Sequence, residues 1–202
     1  MAMAIKTIGF DLFGTLLDAK GDWNESILSM CHHLQRVGYE MSEDDFLSNY
    51  RAVALENRKI RSETLREVSS CVLIADTLKR MGMEAEESSP NTLSAADEYF
   101  GLWDLALVQD AQAVLERLSG AFKMGLVTNF THSPFIHRSL DRLGIGRFFD
   151  CIIVSDRVGW RKPHPNIFKH FLELSEARAE EAVFIGDELQ TDIKGAKDLG
   201  MK

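Results

Sequence analysis

Four short segments of this 202-residue chain place a reactive side chain at or just past the end of an apolar run. They are IGFD with Asp11, MGLVTN with Thr128, GWRKPHP with Lys162 and FIGD with Asp187. In a parallel sheet, residues that close neighbouring strands converge in the crevice beyond the carboxyl ends of those strands. The pattern therefore predicts one site assembled from distant parts of the chain, and it makes an enzyme the leading interpretation.

The second half of the chain alternates between strand-like and helical patterns. After a first strand near residues 5–10, the apolar runs MGLVT, CIIVS and AVFIG are separated by helical segments from Asp110 onward. Alternation of this kind predicts an α/β fold with a doubly wound, Rossmann-like parallel sheet.

The stretch between the first strand and the run at 123–128 is helical in character, and we expect four helices there. Asp22 or Asn24 can cap the first, and Ser42-x-x-Asp45 resembles a capping box that opens the second. A third helix is predicted over residues 63–80, and a fourth follows a polar loop.

Bulk properties exclude several classes of function. The net charge is -8 and no Lys/Arg cluster is present, which argues against a nucleic-acid surface. No apolar stretch reaches the length needed to cross a bilayer, and the start of the chain lacks a secretory pattern, so we expect a cytoplasmic protein. Cys31, Cys71 and Cys151 have no CxxC spacing and are predicted to be reduced core residues.

A carboxylate cluster is predicted around the first strand. Asp11 can act as a nucleophile, although a lone Asp at a strand end is often a helix cap. Asp187, Glu188 and Asp192 would lie near it, and crowded carboxylates repel one another unless a cation neutralises them. Hard oxygen ligands suit Mg²⁺, so magnesium is the expected cofactor. Asp192 has a simpler alternative role as an acid at a helix N-terminus.

Two further segments supply electrostatic groups. The Thr128 hydroxyl and the backbone N–H of Asn129 can donate hydrogen bonds to an oxyanion, and Lys162 can neutralise both a substrate and Asp11. Phosphoryl transfer depends mainly on positioning and charge stabilisation of this kind. Taken alone, Thr128 would be an ordinary strand residue and Lys162 a solvated surface lysine.

Together, the DxxGTL segment with a following Asp, the Thr-Asn strand end, the Lys-Pro pair and the GDxxxxD ending resemble the haloacid dehalogenase superfamily over residues 5–201. The resemblance implies a Rossmann-like catalytic core, residues 1–18 and 99–202, with an inserted four-helix cap domain, residues 19–98, that covers the active site. Family members usually continue past GAKDLGM, so we expect one edge of the sheet to be open.

The same resemblance assigns roles to individual residues. Asp11, Asp187 and the backbone carbonyl of Phe13 are expected to bind the metal directly. Asp192 is expected to act through water or to orient its neighbours, with Glu188 beside it.

Phe13 departs from the phosphatase pattern of the superfamily. Phosphatases carry a second Asp at this position, which protonates the leaving oxygen and later activates water. Phenylalanine can do neither, and an aromatic residue here is typical of the haloacid dehalogenases, which bind no metal and lack the acidic ending. Either the leaving group departs readily, as in aryl or acyl phosphates, or another group supplies the proton, with His132 and His164 as nearby candidates.

Three functional hypotheses follow. The first is a Mg²⁺-dependent phosphatase that forms an aspartyl-phosphate on Asp11 and acts on a small phosphorylated metabolite. The second is hydrolytic dehalogenation of a small halogenated substrate, a 2-halo acid. The aromatic residue Phe13 favours this hypothesis. The third is a non-catalytic module that binds a phosphometabolite. We expect a monomer or homodimer with no nucleic-acid or membrane partner.

Overall fold

The computed structural model describes residues 4–202, which divide into two compact units. One unit comprises the chain up to Ala19 together with Leu105–Lys202, and the other is Lys20–Asp104. No helix within the described residues is both long enough and apolar enough to span a membrane.

The first unit is built on a four-stranded sheet. Its strands are β1 (Thr7–Phe10), β4 (Lys123–Thr128), β5 (Cys151–Val154) and β6 (Ala182–Ile185), in the order β5-β4-β1-β6. All of the neighbouring strands pair in parallel. The predicted α/β fold with a parallel sheet is confirmed, and the carboxyl ends of β1, β4 and β6 lie along one edge of the sheet.

Short helices alternate with these strands along the chain, and the last of them follows β6. They are α5 (Ala111–Leu118), α6 (Ser133–Arg142), α7 (Ser155–Val158), α8 (Pro165–Leu174) and α9 (Lys194–Asp198), with 3-10 turns at Gly146–Phe148 and Ala179–Glu181 and a π-helical turn at Leu189–Ile193.

Two glycines in the sheet allow aromatic side chains to pack against it. A Cβ atom at Gly9 would lie 2.6 Å from the Phe184 ring, and one at Gly125 would lie 2.5 Å from the Phe171 ring. Phe168, Phe171 and Phe184 belong to the buried core cluster on this face. The glycines of IGFD and MGLVT therefore let α8 approach the backbone closely.

The second unit contains four helices, α1 (Trp23–Arg36), α2 (Glu43–Thr64), α3 (Ser70–Arg80) and α4 (Pro90–Gly101). The two predicted caps are confirmed. The Asp22 side chain accepts hydrogen bonds from two backbone N–H groups in the first turn of α1, and the Ser42 hydroxyl accepts one from the Asp45 N–H at 3.1 Å.

The predicted third helix over residues 63–80 was wrong at its start. Helix α2 continues to Thr64 and ends where Leu65 adopts a left-handed conformation, with φ 56°. A new helix begins only at Ser70, where the Ser69 hydroxyl accepts a hydrogen bond from the Val72 N–H. A cap residue inside the predicted span therefore separates two helices.

Two short strands that the sequence did not predict, β2 (Leu17–Lys20) and β3 (Asp104–Leu107), pair as a two-stranded sheet. Each has four residues, too few for a clear alternating pattern.

At the edge of the large sheet, the Lys202 N–H donates to the Ala182 carbonyl at 3.0 Å, and the Lys202 carbonyl accepts from the Phe184 N–H at 2.9 Å.

Candidate active site

Asp11 is the first residue after β1 and is buried at the carboxyl edge of the sheet. The residue is 7 % exposed, and its backbone N–H donates to the Ile185 carbonyl at 2.8 Å. Burial raises the pKa of the Asp11 carboxyl, and nearby Asp192 adds to the rise, while Lys162 lowers it.

Lys162 joins two of the predicted acidic residues. Its Nζ lies 2.6 Å from Asp11 Oδ1 and 2.7 Å from Asp192 Oδ1, and its side chain is 2 % exposed. A lysine so deeply buried is stable only because these carboxylates neutralise it. The surface-lysine alternative for Lys162 is therefore wrong.

Asn129, directly after β4, holds the backbone of Lys162. The Asn129 side-chain nitrogen donates to the Lys162 carbonyl at 3.0 Å, and the side-chain oxygen accepts from the Lys162 N–H at 2.7 Å. Sequence reasoning assigned Asn129 only a backbone donor, so this use of its side chain was missed.

Three carboxylates form a cluster that fits a hard divalent cation. One oxygen from each of Asp11, Asp187 and Asp192 lies within 4.8 Å of the others. Asp192 Oδ1 is buried without an aligned hydrogen-bond donor among residues 4–202, although Lys162 Nζ is close to it. Carboxylate oxygens at this spacing suit Mg²⁺ and would be relieved of mutual repulsion by it.

The loop after Asp11 is shaped around the cluster. Gly14 has φ +84°, and a Cβ atom there would clash with the Asp187 carboxylate. The Thr15 hydroxyl lies 3.5 Å from Asp11 Oδ2 and 3.4 Å from Asp187 Oδ1. Thr15 was not predicted as a site residue, although it lies within the DxxGTL segment.

The carboxylate cluster and Lys162 lie in the wall of a cavity of about 260 Å³. Its walls are formed by Asp11, Phe13, Thr128, Asn129, Arg161, Lys162, Asp187, Glu188, Thr191 and Asp192. Apart from the two histidines considered as replacement acids, all of the residues selected from the sequence for the site are among them. Arg161 and Thr191 were not anticipated, although each is adjacent to a selected residue.

Comparison with known proteins identifies the family. The protein-family model described as haloacid dehalogenase-like hydrolase matches residues 5–200 of the chain. The chain belongs to this family. The predicted superfamily and hydrolase class are thereby confirmed.

Several relatives of this haloacid dehalogenase-like hydrolase are phosphatases. It is 27 % identical over 199 residues to a ribulose-1,5-bisphosphate 5-phosphatase of Halopiger xanaduensis, covering 96 % of this chain and 81 % of that protein. It is 42 % identical over 96 residues to a glyceraldehyde 3-phosphate phosphatase of Pyrococcus abyssi, covering 47 % of this chain and 40 % of the relative.

A solved structure shows the shared fold. The 2-haloacid dehalogenase of Pseudomonas syringae pv. Tomato DC3000 superposes with a TM-score of 0.65 at 22 % identity, covering 98 % of this chain and 84 % of the other.

Phe13, where phosphatases of the family carry a second Asp, belongs to an aromatic stack. Its ring lies 5.3 Å from the Phe130 ring at an interplanar angle of 24°, and Phe130 stacks in turn on Phe135 at 5.7 Å. Phe13 therefore contributes an aromatic wall to the cavity of this hydrolase.

The two histidines considered as replacement acids lie elsewhere in the hydrolase. Neither is among the described residues that line the cavity. His132 is buried at the start of α6, and His164 stacks on Trp160 with its Nδ1 accepting from the Asn166 N–H at 3.2 Å.

Glu188 is the remaining carboxylate of the cavity wall. Its side chain is exposed and accepts a hydrogen bond from the Thr191 hydroxyl at 3.3 Å. Its backbone N–H donates to Asp192 Oδ2 at 3.1 Å, which helps to orient the Asp192 carboxylate.

Proposed function

We propose that this hydrolase is a Mg²⁺-dependent phosphatase that acts on small phosphorylated metabolites through an aspartyl-phosphate on Asp11. The observation that carries the proposal is the position of Asp11. It lies in one cavity with two further carboxylates, Asp187 and Asp192, and with the buried cation of Lys162.

The carboxylate cluster supports the metal. Asp11 and Asp187 would hold Mg²⁺ together with the backbone carbonyl of Phe13. Asp192 would act through a bound water or through Lys162, and Glu188 would support Asp192. When bound, the cation supplies charge that neutralises the phosphoryl oxygens of a substrate.

The protein's own groups would carry out the transfer. The Asp11 carboxylate would attack phosphorus, and Lys162 would hold that carboxylate in place while balancing its charge. The Thr128 hydroxyl and the Asn129 N–H would donate to the phosphoryl oxygens at the end of β4.

The relatives favour phosphate over halide chemistry. The Halopiger and Pyrococcus proteins are named as phosphatases of phosphorylated sugars or trioses, which supports a small phosphorylated substrate here.

We propose further that residues 19–98 act as a cap domain, and that the protein is cytoplasmic and is a monomer or homodimer.

A second candidate activity is hydrolytic dehalogenation of 2-halo acids, which the aromatic Phe13 favours. Against it, the site would hold Asp187 and Asp192 beside the nucleophile without a neutralising metal. Their negative charge would repel an anionic halo acid.

One assay separates the two activities. The protein is incubated with p-nitrophenyl phosphate and, separately, with 2-chloropropionate, each with Mg²⁺ or with EDTA. We expect phosphate release that requires Mg²⁺ and no chloride release. Chloride release that persists in EDTA, without phosphatase activity, would establish the dehalogenase instead.

A further inference from the structure

The aromatic stack beside the nucleophile is firmly anchored. The Ser155 hydroxyl, which is fully buried, accepts a hydrogen bond from the Phe130 N–H at 2.9 Å and donates to the Phe130 carbonyl at 3.1 Å. Phe130 therefore presents a fixed surface on which the Phe13 ring packs. The position two residues after Asp11 is a built aromatic wall.

The other titratable groups of the cavity have roles that conflict with general-base catalysis. Among the described residues that line it, Asp11, Asp187 and Asp192 form the carboxylate cluster, and Lys162 is buried against two of them. Arg161 and Glu188 remain; the Arg161 guanidinium has no acceptor atom, and Glu188 is exposed and hydrogen-bonded to Thr191. Among the described residues of the cavity, position 13 therefore supplies no base, and Glu188 is the one carboxylate outside the cluster.

From this arrangement we infer that the enzyme accumulates as phospho-Asp11, because hydrolysis of the intermediate is slower than its formation. This inference rests on the proposed phosphatase function. It also restricts good substrates to phosphates whose leaving group is a stable anion, such as aryl, enol or acyl phosphates.

The two chemical steps need protons at different places. In the first, an Asp11 carboxylate oxygen bonds to phosphorus, the bond to the leaving oxygen breaks, and the leaving group departs as an anion with the bonding pair. In the second, a water oxygen bonds to phosphorus, the bond to Asp11 breaks, and the water gives a proton to solvent as phosphate leaves.

The slow step follows from how much acid or base catalysis contributes to each of the two steps. A stable leaving anion needs no protonation, so the first step loses little when an acid is absent. The attacking water must lose a proton in the second step, and a positioned general base is worth roughly 10²- to 10⁴-fold there. The missing base therefore slows hydrolysis of the intermediate more than it slows formation of the intermediate.

The test is rapid mixing of the protein with p-nitrophenyl phosphate and Mg²⁺, followed by intact mass spectrometry of the quenched enzyme. We expect a burst of p-nitrophenol equal to one per active site, a slower steady rate, and enzyme that carries one phosphoryl group. Asp11→Asn protein should show neither the burst nor the added mass.

Two substitutions at Phe13 provide matched controls. Phe13→Leu adds no proton-transfer group, so phospho-Asp11 should still accumulate even if the intermediate forms more slowly. Phe13→Asp restores an acid-base group, and it should abolish the burst while raising the steady rate by about 10²-fold, the lower end of what a general base contributes.

The outcomes distinguish this inference from the function on which it rests. Steady Mg²⁺-dependent turnover with no burst and no phosphorylated enzyme would overturn the inference and leave the phosphatase intact. A burst that appears only after Glu188→Gln would overturn it too, since Glu188 would then be the base. Absence of any phosphate release would overturn the proposed function itself.

Discussion

The Asn129 side chain hydrogen-bonds to both the N–H and the carbonyl of Lys162, 33 residues further along the chain. This pair connects the end of β4 to the loop that carries the buried lysine. Lys162 Nζ lies 2.6 Å from Asp11 Oδ1, so the position of the lysine relative to the nucleophile depends on the Asn129 amide.

Replacing Asn129 with alanine removes both hydrogen bonds and should lower kcat by roughly 10- to 10²-fold, because small displacements of catalytic groups are costly. Mg²⁺ affinity should change little, since Asn129 is not one of the clustered carboxylates. Steady-state kinetics and titration calorimetry measure the two effects. Asn166, an exposed asparagine four residues after Lys162, gives the control, and Asn166→Ala should behave as wild type. A wild-type kcat for Asn129→Ala would exclude the positioning role.

Removal of Lys162 should destabilise the protein. Lys162→Met leaves two buried carboxylates without their cation, which typically costs about 3–5 kcal/mol of the free energy of unfolding. Added Mg²⁺ should restore part of the loss. Urea denaturation with and without Mg²⁺ measures both effects.

The matched control for Lys162 is a lysine in an exposed ion pair. Lys194 pairs with Asp198 on the surface of α9, and Lys194→Met should cost less than about 0.5 kcal/mol. Equal losses for the two variants would contradict the assigned burial of the Lys162 charge.

Gly14 should be required for metal binding. Gly14→Ala introduces a Cβ that clashes with the Asp187 carboxylate, so Mg²⁺ affinity should fall at least tenfold, equivalent to about 1.4 kcal/mol. Gly120 has nearly the same φ, +85°, and apart from its two chain neighbours no atom lies within 4 Å of an added Cβ. Gly120→Ala should therefore lose comparable stability and keep its Mg²⁺ affinity. If both variants bind Mg²⁺ equally well, the clash does not matter.

Much of the fold could be predicted from the sequence because its signals are local. The apolar runs that became β1, β4, β5 and β6 are short, continuous and bounded by turns, and the caps at Asp22 and Ser42 depend on neighbouring backbone groups. The break at Leu65 and the paired strands β2 and β3 have no such local signal. They depend on backbone geometry and on pairing between residues far apart in sequence.

In the candidate site too, residues with a local sequence signal could be predicted, whereas contacts between distant parts of the chain could not. Asp11, Thr128 and Asp187 could be selected because each closes an apolar run. The bridge from Lys162 to Asp192 and the side-chain bonds of Asn129 arise only when separate strand ends meet in the folded chain. Residue identity can suggest such contacts, but spacing along the chain does not specify them.

Glu181 should make stability depend on pH in the acid range. Hydrogen bonds from Arg178 and Lys6 lower the pKa of its carboxyl from 4.5 to about 2. A carboxyl with a lowered pKa in the folded state stabilises the protein above its unfolded pKa, and this contribution disappears as the pH falls through the folded value. Glu181→Gln should therefore lower Tm at neutral pH, and the difference from wild type should vanish between pH 4.5 and 2. A difference that stays constant over that range would contradict the assignment.

The most direct test of the central claim is hydrolysis of p-nitrophenyl phosphate at saturating Mg²⁺ by wild type, Asp11→Asn and Asp18→Asn. Asp18 is an exposed acid of the same segment, so its variant controls for the lost charge. If Asp11 is the nucleophile, wild type and Asp18→Asn turn over at similar rates, and folded Asp11→Asn protein falls to the background rate. Turnover by Asp11→Asn at a rate comparable to wild type would contradict the account.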